Sequence, residues 1–315
     1  MYQPYIRAKQ YELIGIKELM EKGIITPKNK KISPIIEPVK DSSTLKSTIE
    51  CLINNDVNFT IIINPQVGAF SEVDKIFTLL GNTAKESKNY QIGIIFHNNI
   101  EHDNIISILE CYKKHIPALS IIHNIGSDDV NATLNRYKSI SEIKYNVINL
   151  SETSKRYHRN FPMETRVELD DYFRTQLRNS DYLDIGESSF SEEHLYYKED
   201  GFVAFSDYLC IGAAYSESGF LPYAVAIHLS YSTQGNVIKI KHFVSDSNDD
   251  QNDIAGKFSE ALNKLITWCE EKDYSSIAVE KFKELYNRGH FPGLGTIKKL
   301  SMMNHIELVL NVMAD

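Results

Sequence analysis

Five apolar runs, each closed by a polar residue suited to chemistry, constrain this chain more than any other feature. They occupy residues 32–37 (ISPIIE), 59–64 (FTIIIN), 92–97 (IGIIFH), 119–123 (LSIIH) and 145–149 (YNVIN). Successive side chains of a strand point to opposite faces. A run that is apolar throughout is therefore covered on both faces, as the strands of a parallel sheet are. The runs begin roughly 30 residues apart, which leaves room for a helix that returns the chain to the same end of the sheet. This cycle predicts an α/β fold with TIM-barrel-like (β/α) repeats in the N-terminal half, a doubly wound sheet being the alternative. In both architectures ligands bind beyond the carboxyl ends of the strands. Glu37, Asn64, His97, His123 and Asn149 are expected to converge there.

The intervening segments fit this cycle. An opening helix is expected over 5–22, where Ile6, Leu13, Ile14, Ile16, Leu19 and Met20 form an apolar stripe that Gly23 ends. Asp41, Ser42, Ser43 and Thr44 offer N-caps for a helix over 45–54, and further helices are expected near 72–80, 104–115 and 128–138. From residue 151 to 200 charge and aromatic residues are dense and the period is lost. Strands return over 202–212, 223–231 and 237–244, the last two as a hairpin around residues 232–236. An amphipathic helix over 254–271 follows, then one over 277–286 and one that starts after Pro292–Gly295. The simplest organisation is a single elaborated barrel-like domain over 1–315, with a division near residue 155 as the alternative.

Composition narrows the function classes. Of 315 residues 42% are hydrophobic and 24% charged, ordinary for a globular protein. The net charge of -8 argues against broad affinity for nucleic acid, which needs a basic footprint. No uninterrupted apolar run approaches the ~20 residues of a membrane-spanning helix. No secretory leader is legible, and the four cysteines form no CxxC pair, so a reducing cytoplasm is the expected location.

Several longer stretches carry a resemblance. They are residues 190–208 (FSEEHLYYKEDGFVAFSDY), 215–220 (YSESGF), 224–228 (AVAIH), 242–250 (HFVSDSNDD) and 290–300 (HFPGLGTIKKL), with 5–12 (YIRAKQYE) and 36–39 (IEPV) at the other end. Together they resemble an uncharacterised bacterial family that is similar to the phage-associated "beta protein" group. The resemblance spans nearly the whole chain. It implies a role in antiviral defence or on a mobile element, beside a nuclease-like partner protein, and carries no catalytic assignment with it.

The residues themselves suggest candidates. Histidine titrates near neutrality and also binds metals, so His97 and His123 are candidate acid–base groups. Glu37, at the end of an apolar run, needs a partner or a metal, and Asp207 is the best carboxylate of the polar, aromatic segment 190–208. Glu37 and Asp207 are the expected ligands of a divalent metal, magnesium or manganese, with Asp246 and Asp249 of the acidic run as further oxygen ligands. Asn64, Gln66 and Asn149 are expected to orient a substrate. Arg166 in the basic stretch, and Lys298 and Lys299 after a glycine-rich turn, are expected to meet phosphate. Two functions are compatible with this set. One is a metal-dependent hydrolase of a phosphorylated small molecule or nucleic acid. The other is a non-catalytic ligand-sensing or adaptor protein working with a nuclease.

Overall fold

The computed structural model describes residues 1–28, 30–71, 73–83, 87–217 and 221–313. Glu72, the first residue of the helix expected near 72–80, and Ser218–Phe220, part of one resembling stretch, lie outside them. The chain forms two compact units. One comprises Met1–Leu13, Met20–Asp170 and Tyr196–Asp207, the other Ile14–Leu19, Asp171–Leu195 and Tyr208–Asp315.

The first unit is a parallel barrel. Its strands are β1 (Tyr5–Ile6), β2 (Ile35–Ile36), β3 (Phe59–Ile62), β4 (Tyr90–Phe96), β5 (Leu119–His123), β6 (Ile143–Asn149) and β7 (Arg166–Asp170). The eighth place is taken by β9 (Ala204–Asp207), because β8 (Glu187–Ser191) belongs to the other unit's sheet. Each strand pairs in parallel with the next, and Tyr2 bridges to both Ile32 and Phe205 to join the two edges. All five apolar runs therefore contribute consecutive strands, as their spacing predicts. Helix α1 (Gln10–Glu21) leads from β1, and α2 (Ser43–Asn54), α3 (Val73–Thr83), α4 (His102–Cys111) and α5 (Val130–Lys138) return the chain between successive strands. Ser42 caps α2 by accepting a hydrogen bond from the Leu45 N–H at 3.1 Å.

The opening helix is shorter than its apolar stripe. Tyr5 and Ile6 are a strand, paired with Ile35 and Ile36, and the helix starts only at Gln10. Residues 1–6 fill the gap between β2 and β9, so tertiary pairing overrides a helical pattern that Tyr5 and Ile6 also satisfy. The strand expected over 202–212 stops at Asp207, where a short helical turn begins at Leu209. Residues 166–170, inside the stretch without legible period, are β7.

Strand register separates the inside of the barrel from its outside. Phe96 lies opposite His123, and its ring meets His102 of α4 and Tyr137 of α5. The face bearing Ile61, Ile94, Phe96, Ile121, His123 and Phe205 therefore looks toward the helices. The alternate set, including Ser33, Thr60, Gln91, Gly93, Ser120 and Ser206, faces inward. Space there is tight, since a Cβ on Gly93 would sit 2.8 Å from Thr60 Cγ2 and 2.9 Å from Ile62 Cγ1.

The second unit is built on an antiparallel sheet in the order β10 (Ala226–Ser232), β11 (Ile238–Val244), β8. Two single-turn helices, α6 (Tyr182–Ile185) and α7 (Glu193–Tyr196), flank β8. Helices α8 (Ile254–Glu271), α9 (Ile277–Arg288) and α10 (Leu294–Val312) complete it. Tyr231 and Phe243 pack on Trp268 of α8, whereas Ser230, on the other face, is bonded by Asn304 and His305 of α10. The sheet is thus covered on both sides. No helix among the described residues is long and apolar enough to cross a membrane.

Candidate functional site

At the carboxyl end of the barrel strands, the inward positions of β1 and β2 continue into Arg7 and Glu37. The Glu37 carboxylate is 2% exposed and fully engaged. Oε2 accepts from Tyr5 Oη at 2.8 Å and lies 3.6 Å from Arg7 Nε, and Oε1 accepts from the Gln66 backbone N–H at 2.7 Å. A buried carboxylate needs partners for its oxygens, and a cation and two donors supply them here. Its arrangement holds Arg7, whose side chain is 17% exposed, and anchors the loop after β3.

The amides of this rim bond mainly to the protein. Asn64 extends the ladder between β3 and β4 by donating to the Ile95 carbonyl and accepting from the Ile95 N–H, both at 2.8 Å. Gln66 Nε2 donates to the Asn64 carbonyl at 2.7 Å. Asn149 donates to Asn124 Oδ1 at 3.2 Å. His97, half-buried beyond β4, accepts from the Asn99 N–H on Nδ1 at 3.3 Å, which leaves Nε2 to carry the proton of the neutral ring. Partial burial lowers its pKa below the ordinary histidine value, so that neutral form prevails near pH 7.

His123 and Asp207 are at strand ends as expected, but on the opposite face. His123 is fully buried, with Nε2 3.1 Å from Asn146 Oδ1 and Nδ1 3.2 Å from Tyr157 Oη, and the rings of Phe96, Tyr157 and Phe161 enclose it. Burial pushes its pKa down to about 4. Asp207, 1% exposed, accepts from Tyr2 Oη at 2.7 Å on the helix side of β9. Glu37 points inward and Asp207 outward, so the two do not face a common ion. A divalent metal between them does not fit this geometry.

The remaining candidates are distributed. Arg166 donates from Nε and Nη2 to the Phe161 carbonyl at 2.9 and 2.7 Å. In the second unit, Asp246 is exposed and paired with Lys264 at 2.7 Å, while Asp249 is exposed. The acidic run ends in a helix cap, with Asp253 accepting from the Gly256 N–H at 2.9 Å. Lys299 is paired with Glu18 at 2.5 Å, and Lys298 is exposed.

The second unit also contains a cluster absent from the sequence reading. His228 of β10 and His242 of β11 are directly opposite, with their Nδ1 atoms 2.8 Å apart, and His242 Nε2 is 3.1 Å from Ser188 Oγ of β8. The rings of Phe173 and Tyr182 pack against both imidazoles. The signal was present in the hairpin: each histidine lies four residues from the loop side of its strand, at Ser232 and Ile238, which pair with each other.

Fold and geometry together define a (β/α) barrel with a polar carboxyl-end mouth, joined in sequence to a helix-covered antiparallel sheet that carries a histidine pair. No family model, no curated protein and no solved structure matches the chain.

Proposed function

We propose that the barrel mouth binds a phosphorylated small molecule and that the chain acts as a ligand sensor. The observation that carries this reading is the Arg7–Glu37 pair at 3.6 Å. An arginine held in place by a buried carboxylate is pre-organised to take a phosphate oxygen. His97 offers a neutral Nε2–H as a second donor on the same rim. Sensing is favoured over hydrolysis because both Glu37 oxygens are occupied by donors and the accepting nitrogen of His97 is taken by the Asn99 N–H. Titration calorimetry with inorganic phosphate and with a nucleoside monophosphate tests the reading. Binding of at least one is expected, weakened on the order of tenfold or more by Arg7→Gln, the worth of a charged hydrogen bond. Binding of neither, or binding that Arg7→Gln leaves unchanged, refutes it.

A nuclease-like partner in antiviral defence is the context that the sequence resemblance implies. One observation favours a protein partner: Leu177, Leu221 and Tyr223 are exposed on segments that the Asn179–Ala224 hydrogen bond ties together. The phosphoric-ester hydrolase remains the second reading, supported by the half-buried, neutral His97. Release of phosphate from the nucleotide probe, abolished by His97→Asn, would make it primary.

A further inference from the structure

The second unit's histidine pair has a directed arrangement that packing does not require. Antiparallel pairing sets His228 opposite His242 and places Ser188 of the third strand beside the far nitrogen of the same ring. One Nδ1 must carry a proton and donate it to the other. If His242 is that donor, its Nε2 is the bare nitrogen, and it accepts from the Ser188 hydroxyl. This is the order nucleophile, base, orienting group that activates a serine on unrelated folds.

We propose that Ser188, His242 and His228 form a nucleophilic serine site within the second unit that hydrolyses carboxylic esters. In the first step the Ser188 oxygen attacks the ester carbonyl and its proton passes to His242 Nε2. His228 Nδ1 accepts from His242 Nδ1–H and stabilises the imidazolium. The C–O bond to the alcohol then breaks, and His242 returns the proton to the leaving oxygen. Water, deprotonated by His242, attacks the acyl carbon; the C–O bond to Ser188 breaks, the acid leaves, and His242 returns the proton to the Ser188 oxygen.

The surroundings suit these roles. Ser188 and His228 are half-buried and His242 is 7% exposed, so the serine is approachable while the base is held in place. Phe173 and Tyr182 fix both ring planes, at centroid distances of 4.6 to 6.4 Å. Glu187, the neighbour of Ser188, is engaged with Lys239 at 2.8 Å and Tyr231 at 2.5 Å and does not compete for the histidines. The titratable groups that act on the pair are Lys298 of α10, Lys241 of β11 and Glu187 of β8. Burial first, then His242 and Lys298, holds His228 down to about 3, and burial first, then Lys241, with Glu187 opposing, holds His242 down to about 4, so the base is unprotonated at neutral pH.

A serine-reactive fluorophosphonate applied to the whole chain, with the label located by mass spectrometry, tests the site. Labelling at Ser188 is expected, lost in Ser188→Ala and slowed on the order of 100-fold in His242→Gln, the usual worth of a general base. His228 acts through His242 and is a positioning residue. His228→Gln is therefore expected to move the acid limb of the pH dependence of labelling, which a packing role alone would leave in place. Absence of label on Ser188 in the unaltered chain overturns the proposal, as does a labelling rate that His242→Gln does not change. If His242→Gln fails to fold, the unaltered chain and Ser188→Ala decide between them.

Discussion

His123 shows how one buried residue links acid to stability. Its folded pKa of about 4 lies below the 6.5 of the free side chain, mainly because burial disfavours the charged ring. The unfolded chain thus binds this proton more readily than the folded one. The resulting stability is complete above pH 6.5 and is lost as pH falls through the window from 6.5 to 4. At full strength the difference is worth roughly 3 kcal/mol. His123→Gln is expected to flatten the dependence of the melting temperature on pH between 4 and 6.5, whatever it costs at pH 7. A slope equal to that of the unaltered chain would show that the ring does not titrate with unfolding. Glu37 makes the complementary point: its place after an apolar run announced a partnered carboxylate, and Arg7, Tyr5 and the Gln66 N–H are those partners. That Arg7 would be the cation was not legible, because residues 5–8 read as helix.

Among the elements, the loop after β3 connects the mouth to the fold. Gly68 has φ +79, and a Cβ there would sit 2.4 Å from the Val39 carbonyl oxygen and 2.7 Å from Val39 Cα. Both obstacles are backbone, and the neighbouring Ala69 N–H is bonded to that same carbonyl at 2.8 Å. Gly68→Ala is therefore expected to cost about 2 kcal/mol or more in thermal or urea unfolding, and to weaken phosphate binding by displacing Gln66 from Glu37. A variant as stable as the parent would mean the loop relaxes freely. Most elements were legible: α8 matches its expected span, and the helices between the barrel strands shift by a few residues at their ends. β7 was not, since Arg166, Glu168 and Asp170 break the apolar run that identifies its neighbours. These three polar positions lie on one face, whereas Val167 and Leu169 lie inside the barrel.

At the scale of the molecule, the barrel depends on its seam. Tyr2 is fully buried, stacks on Phe205 at 5.1 Å and donates to Asp207, while the adjoining backbone joins Gln3 to the Phe205 carbonyl at 2.8 Å. Tyr2→Ala removes the ring and leaves a cavity at the seam between the first and last strands. A loss of about 3–5 kcal/mol is expected, measured by urea unfolding. Tyr2→Phe, which keeps the ring and removes only the bond to Asp207, should cost about 1–2 kcal/mol. Equal losses in the two variants would place the stability of the seam in the hydrogen bond rather than in the ring.

The runs of apolar residues, their spacing and their polar endings were enough to establish parallel strands, intervening helices and the end at which polar side chains gather. They did not distinguish the two faces of each strand. A strand covered on both sides is apolar on both, so no alternation marks which residues turn inward. Closure through Tyr2 and Phe205 made that choice, sending Glu37 into the mouth and His123 and Asp207 to the helix side. The pairing of Ser188 with His242 and His228 depended likewise on the register of β8 against β11, whose paired residues lie 47 or more apart in sequence (Ser191 with Ile238 the nearest), and which β8 acquires only by joining the hairpin's sheet.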